Sequence, residues 1–144
     1  MNLSSIRSIV AVFGAATLAG CGGGPTEITL ENLVGVWDAT EYLYTNHANT
    51  SQRVDILAAF GASMTLTVAA DGTTTSTFND GQGNTSSDSG RLDAVDQTLT
   101  LAGVAYAARL DGGDLVLLNN AAAYDFDDNG SAESATARIT LERR

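Results

Sequence analysis

The chain has 144 residues, which is room for one small domain behind a targeting segment. It carries 17 acidic residues against seven arginines, and its formal net charge is −10 at pH 7. A surface this negative repels phosphate groups, which argues strongly against nucleic-acid binding and against membrane attachment through a basic patch. The single cysteine excludes a disulfide bond within the chain.

Residues 1–20 have the pattern of a secretory signal peptide. Arg7 is the only charged residue before an uncharged apolar run over residues 9–18. That run is too short to cross a bilayer as a helix, but it has the length of a signal-peptide hydrophobic region. Small residues then lead to the cysteine in the tetrapeptide Leu18-Ala19-Gly20-Cys21.

This tetrapeptide resembles the lipobox of bacterial membrane lipoproteins. The resemblance implies that the Cys21 thiol receives a diacylglyceryl group and that Cys21 becomes the acylated N-terminus, carrying fatty acyl chains such as palmitate. Several acyl chains anchor a protein stably, since each buried methylene contributes about 0.8 kcal/mol. Gly22, in place of Asp, implies by the same resemblance the outer membrane of a double-membraned cell, facing the periplasm. The alternatives are a plain secretory signal cleaved nearby and a buried structural cysteine.

The rest of the chain begins with a short Gly-rich stretch, so we assign residues 21–28 to the acylated cysteine and a flexible tether. Residues 29–144 form the predicted domain. Thr29 is expected to cap a helical turn, and an extended segment follows over residues 35–45. A second helix is predicted over residues 51–60, ended by Gly61.

From residue 64 onward apolar and polar residues alternate with a period of two. Asp71-Gly72 is typical of a tight hairpin turn between strands over residues 64–68 and 73–78. Residues 79–89 are predicted to form a polar, mobile and exposed loop. Further strands are predicted over residues 92–94, 99–101, 104–110, 115–118 and 135–141, with turns at 96–97 and 111–114.

This pattern predicts an all-β domain, namely a small antiparallel up-and-down β-barrel of about eight strands with one or two short helices. A β-sandwich of the same strands is the alternative. Gly35-Val36-Trp37, just after a helical turn, resembles the Gly-x-Trp of the lipocalins, in which the tryptophan closes one end of the barrel. Val54-Asp55, the Asp71-Gly72 hairpin and Gly90 follow in an order similar to bacterial lipocalin-like domains. The resemblance covers most of residues 29–143.

The resemblance implies a barrel that holds a small hydrophobic ligand. The residues expected to contact it are Trp37, Met64, Leu66, Phe78, Tyr106 and Leu117, and Leu43 is predicted to point inward as well. The alternative is an envelope interaction or structural protein with a solid barrel, whose working surfaces are the connections over residues 79–89 and 119–134. An internal cavity distinguishes the two hypotheses.

Residues 125–130 read Asp-x-Asp-x-Asn-Gly, the opening of a calcium-binding loop. Oxygen ligands are expected from Asp125, Asp127, Asn129, Ser131 and Glu133. An EF-hand has a bidentate glutamate at the twelfth position of the loop, where this sequence has Thr136. The segments on either side of the loop are predicted strands and not helices, so the loop is not an EF-hand. Two interpretations stay open: a weak structural calcium site that ties the last two strands together, and an ordinary turn built from Asp, Asn and Gly.

The sequence contains no recognisable catalytic motif. His47 is the only histidine and Cys21 is assigned to the lipid, which argues against a zinc site. There is no Gly-x-Ser-x-Gly motif and, without lysine, no phosphate-loop lysine. We therefore expect a binding or structural protein and not an enzyme.

Overall fold

The computed structural model describes residues 24–144, so the predicted signal peptide and Cys21 lie outside the described residues. The elements follow one another as α1 (Leu30–Leu33), β1 (Gly35–Asn46), β2 (Arg53–Asp55), α2 (Ile56–Phe60), β3 (Ser63–Val68), β4 (Thr73–Asn79), β5 (Thr85–Asp93), β6 (Thr98–Leu101), β7 (Val104–Asp111), β8 (Asp114–Tyr124) and β9 (Glu133–Arg143). Within this part of the chain, no helix is long and apolar enough to cross a membrane.

The strands form one antiparallel sheet that closes on itself. Its order is β2-β1-β3-β4-β5-β6-β7-β8-β9, and β1 also pairs with β9. Therefore β1 and β3 to β9 make an eight-stranded up-and-down barrel, while the short β2 adds to residues 43–45 of β1. Closure removes the free sheet edges of the barrel. The predicted lipocalin-like barrel is confirmed, and the sandwich alternative is wrong.

The apolar core fills one half of the barrel, which we call the closed end. The inward side chains there are large and fully buried: Trp37, Leu66, Leu99, Leu115, Leu117 and Leu141. Leu33 of α1 and Ile28 cover this end and are buried as well. The indole Nε1 of Trp37 donates a hydrogen bond to the Leu33 carbonyl oxygen at 2.9 Å. The opposite half, where β1, β4, β6 and β8 finish, is the open end.

Arg143 holds α1 over Trp37. Its guanidinium carbon lies 4.4 Å from the centroid of the Trp37 ring, and Nη1 donates to the Val34 carbonyl oxygen at 2.7 Å. Nη2 donates to the Asn32 carbonyl oxygen at 2.5 Å, so that carbonyl groups left free at the end of α1 are satisfied. A Cβ at Gly35 would lie only 2.8 Å from Nη1, and its φ is +139°. Both facts explain the glycine of Gly-x-Trp.

The chain before α1 is attached to the closed end. Thr26 exchanges two backbone hydrogen bonds with Leu110, at 2.7 and 3.0 Å. The Ile28 N–H donates to Gln97 Oε1 at 2.7 Å, and Gln97 Nε2 donates back to the Ile28 carbonyl oxygen at 2.9 Å. Residues 26–28, which the sequence analysis places in the tether, therefore contact the barrel.

Both helices are capped by side chains. Thr29 Oγ1 accepts a backbone N–H of the first turn at 3.2 Å, as predicted. The second helix is shorter than the expected 51–60, because Arg53–Asp55 pairs with β1 as β2. Asp55 caps the remaining helix by accepting the N–H of Leu57 at 3.0 Å. Gly61 ends it in the left-handed conformation, with φ of +64°.

The prediction of a mobile loop over residues 79–89 is wrong. Residues 85–89 belong to β5, which pairs with β4 from Thr73↔Arg91 to Asn79↔Thr85. Only residues 80–84 connect the two strands, and Asp80 stabilises that turn by accepting the N–H groups of residues 82 and 84. The strand lacks an apolar alternation because its inward residues near this end are Ser86 and Asp88, which face a cavity and not a packed core.

The connection predicted over residues 119–134 is also shorter. β8 continues to Tyr124 and β9 begins at Glu133, with a register shift between Asn119 and Ala122. The intervening residues 125–132 form the loop with the calcium-like pattern. The sequence underestimates these strands because their final residues lie near the open end, where inward positions need not be aliphatic.

Candidate ligand cavity

A cavity of about 470 Å³ occupies the open end of the barrel. Each of the eight barrel strands contributes to its wall, and α2 contributes Ile56. Its aromatic lining consists of Tyr42, Tyr44, Phe78, Tyr106 and Tyr124. The aliphatic lining consists of Ile56, Met64, Leu101, Ala102, Val104 and Ile139. The volume falls within the usual range for small-molecule sites, about 300–1,000 Å³.

Small inward side chains on β4 and β5 form part of the cavity wall. Ser76 and Ser86 line the cavity, whereas the inward residue of β5 at the closed end is the buried Leu92. Serine side chains leave space that leucines would fill. The barrel is therefore packed at one end and hollow at the other.

Three tyrosine hydroxyl groups meet in the cavity wall. The Tyr42 hydroxyl lies 3.1 Å from that of Tyr44 and 3.4 Å from that of Tyr106. Burial, together with hydrogen bonds to Tyr106 and Tyr44, raises the pKa of Tyr42 far above its usual range. Burial also raises the pKa of Tyr106. The Tyr42 and Tyr106 hydroxyls therefore stay protonated at neutral pH and can donate or accept a hydrogen bond.

An aromatic row continues from this cluster to the β8–β9 loop. The Tyr42 and Tyr44 rings stack with centroids 5.3 Å apart, and Tyr124 lies 5.1 Å from Tyr44. Phe126 then meets Tyr124 edge-on at 5.0 Å. Such pairs contribute about 0.5–1.5 kcal/mol beyond their buried area, so the row stiffens this wall of the cavity.

The mouth of the cavity is bordered by α2 and by the β6–β7 turn. Phe60 at the end of α2 is 52% exposed, and Val104 after the turn is 40% exposed. A shallower pocket of about 220 Å³ adjoins the cavity and shares Ile56 and Phe78 with it. The rim of the open end is therefore partly apolar and accessible.

The structure divides the predicted ligand-contact residues into two groups. Met64, Phe78 and Tyr106 line the cavity. Trp37, Leu66 and Leu117 are instead fully buried in the core of the closed end. The residue pair that the sequence analysis missed is Tyr42 and Tyr44, although their spacing of two on one strand is the usual signal for a shared face.

The prediction that Leu43 points inward is wrong. Leu43 pairs with Arg138, which is exposed on the outer face, whereas Tyr42 pairs with the buried Ile139. The register of β1 shifts between Ala39 and Glu41, where one extra residue is inserted. Such a bulge changes which residues face inward, and the sequence pattern alone does not reveal it.

The β8–β9 loop brings three predicted calcium ligands together. Carboxylate oxygens of Asp125, Asp127 and Glu133 all lie within 4.8 Å of one another. The Asn129 side-chain oxygen accepts the N–H of Ser131 at 2.8 Å, as in an ordinary Asx turn. The cluster is therefore compatible with both interpretations of the sequence.

Asp125 already stabilises this loop through backbone contacts. Its two oxygens accept the N–H of Asn129 at 3.1 Å and that of Gly130 at 2.7 Å. Desolvation raises the pKa of Asp125, but these hydrogen bonds outweigh it and leave the pKa below its usual value. Glu133 similarly accepts the Phe126 N–H at 2.9 Å. The carboxylates thus have structural partners within the protein.

The fold and the cavity define a small lipocalin-like barrel with a hollow, accessible open end. Neither protein-family models nor curated proteins match this chain. Among solved structures, a lipocalin lipoprotein affecting virulence in Streptococcus pneumoniae is similar, with 17% identity, a TM-score of 0.49 and coverage of 83% of this chain and 100% of that one. A second structure, described as a candidate lipoprotein from the same organism, has 16% identity with the same coverage and TM-score. The assignment of the barrel rests on the strand pairing of this chain itself.

Proposed function

We propose that this protein is a lipid-anchored envelope lipoprotein whose barrel binds a small hydrophobic ligand at its open end. The observation that carries the proposal is the cavity of about 470 Å³, lined mainly by aromatic and aliphatic side chains. A small-molecule site typically combines such a lining with a few polar groups that orient the ligand. The tyrosine hydroxyls, Ser76 and Ser86 supply those groups here. The cavity favours this function over the solid-barrel alternative.

The position of the first barrel contact supports a defined orientation of the anchored protein. Cys21 precedes Thr26 by only five residues, and Thr26 is bonded to Leu110 at the closed end. A fully extended chain spans at most about 3.6 Å per residue, so the tether reaches about 18 Å. Lipidation at Cys21 therefore holds the closed end near the membrane and leaves the open end facing the aqueous compartment. In a double-membraned cell, Gly22 favours the periplasmic face of the outer membrane.

The anchor is tested by growing the producing cells with labelled palmitate. We expect label in the wild-type protein and none in Cys21→Ala. An unlabelled wild-type protein would contradict lipidation, and a labelled C21A protein would place the acyl chain elsewhere.

Ligand binding is tested by native mass spectrometry of residues 22–144, purified without detergent. All strands lie within this span, so we expect it to fold. The expected result is a discrete added mass of lipid size, removed by organic extraction. Protein that carries no added mass, and that also takes up no apolar fluorescent probe, would contradict ligand binding and favour a protein partner.

A further inference from the structure

The lining of the cavity has a single charge, and that charge is negative. Among the described residues that line it, Asp88 is the only acidic one, and none is arginine, lysine or histidine. Asp88 lies on the inner face of β5, opposite Ser76 in the register. It is exposed to solvent. The cavity therefore offers a carboxylate and no cation to a ligand.

Aromatic rings lie across the barrel from this carboxylate. In the closed sheet, β5 is four strands from β9 in either direction, and β9 is flanked by β1 and β8. These two flanking strands carry Tyr42, Tyr44 and Tyr124. Tyrosine rings attract cations through their negative faces, and several rings together form the usual site for quaternary ammonium groups.

From these observations we infer that the ligand is a cationic amphiphile, with an amine or quaternary ammonium head and a short apolar tail. The inference rests on the proposed ligand-binding function and names its ligand class. Asp88 attracts the head, the tyrosine rings contact it, and the tail contacts the buried aliphatic residues of the lining. These are Met64, Leu101 and Ile139. An anionic amphiphile such as a fatty acid is repelled by Asp88 and by the net negative charge of the chain.

The volume of the cavity sets the size of the ligand. A water molecule takes about 30 Å³ of the liquid, so about 470 Å³ holds a ligand of about 15 non-hydrogen atoms. Dodecyltrimethylammonium is of this size and has the required head. Dodecanoate has the same chain length and the opposite charge, which makes it a matched probe.

The test is isothermal titration of residues 22–144 with each probe below its micellar concentration. We expect dodecyltrimethylammonium to bind at least about tenfold more tightly than dodecanoate, and added salt to reduce the difference. If neither probe binds but an uncharged apolar fluorescent probe does, the cationic ligand class is wrong; if none of the three binds, the proposed function itself fails. If dodecanoate binds equally well or better, the barrel is a ligand-binding protein but the cationic ligand class is wrong.

Two variants connect the preference to the residues. Asp88→Asn is expected to weaken binding of the cation about fivefold, because Asp88 is solvent-exposed and its attraction is partly screened. Glu142→Gln makes the same change in net charge on β9 at the closed end, and it should leave both affinities unchanged. Equal cation affinity in wild type and D88N, with unchanged thermal stability, would overturn the role of Asp88. If E142Q lost as much affinity for the cation as D88N, the effect of Asp88 would be a general effect of net charge.

Tyr44→Leu tests the contribution of the rings. Leucine keeps an apolar side chain at this position but removes the aromatic face. We expect weaker binding of the cation with little change for dodecanoate. A parallel loss for both probes, or no loss for the cation, would contradict recognition of the head by the tyrosines.

Discussion

Among the described residues, Tyr42 is the ionisable side chain whose pKa is raised furthest by its surroundings. Its hydroxyl is enclosed by those of Tyr44 and Tyr106, and burial is the main cause that raises its pKa. The tyrosines of an unfolded chain ionise near pH 10. Above that pH the folded chain therefore binds more protons than the unfolded chain at this residue, and the free energy of unfolding falls as pH rises.

We predict a loss of stability in alkaline solution that depends on Tyr42. The contribution of the protonated hydroxyl is fully present below about pH 10 and decreases above it, by up to about 1.4 kcal/mol per pH unit. Urea unfolding of wild type and Tyr42→Phe, at about pH 8 and about pH 11, measures the effect. Tyr42→Phe should show the smaller decrease. An equal decrease in both proteins would contradict the assignment.

Also at the residue scale, Arg143 connects α1 to the closed end of the barrel. Replacing it by glutamine removes two hydrogen bonds to the carbonyl groups of α1 and the contact with the Trp37 ring. We expect Arg143→Gln to lower the free energy of unfolding by about 1–2 kcal/mol, because the hydrogen bonds are charge-assisted but exposed.

Arg138→Gln is the control for this prediction. Arg138 makes only an exposed ion pair with Glu41, at 3.8 Å, and such pairs contribute about 0–1 kcal/mol. Chemical denaturation compares the two variants with wild type. Equal stability of R143Q and R138Q would show that the contacts of Arg143 with α1 and Trp37 stabilise the protein no more than an exposed ion pair.

At the scale of elements, the β8–β9 loop carries the calcium hypothesis. Three carboxylates lie within reach of one ion, since calcium–oxygen distances are about 2.3–2.6 Å. The hypothesis predicts that millimolar calcium raises the melting temperature and that Asp127→Asn abolishes the rise. Calorimetry should detect the heat of binding in wild type. If calcium produces no heat of binding and no change in melting temperature, these residues serve only as hydrogen-bond acceptors in an ordinary turn.

The elements also show what the sequence can predict. The positions of Gly35, Trp37 and the Asp71-Gly72 turn are determined by local contacts and backbone conformation. The closed end and this hairpin can therefore be predicted from the sequence. The inward position of Tyr42 does not, because it depends on a bulge that appears only when β1 pairs with β9. The sequence predicts only the end of β5 for a related reason: Ser86 and Asp88 face the cavity, and a strand that lines a cavity needs no apolar alternation.

At the scale of the whole molecule, the two ends of the barrel have different structural roles. The closed end buries Trp37 and Leu33, holds the N-terminal segment and stabilises the fold. The open end has small inward residues, an aromatic wall and an exposed rim. Because the closed end supplies the packing that stabilises the barrel, the other half can remain hollow. The proposed function therefore requires the hollow half to take up a ligand.

The most direct test compares two tryptophan substitutions at neighbouring positions of β5. Ser86 faces the cavity, while Ser87 lies on the outer face beside Thr77. An uncharged apolar fluorescent probe should bind wild type and Ser87→Trp equally, and bind Ser86→Trp at least about tenfold more weakly, which corresponds to about 1.4 kcal/mol. Circular dichroism establishes that both variants remain folded. Equal binding by S86W and S87W, or no binding by any of the three proteins, would contradict the cavity as the functional site.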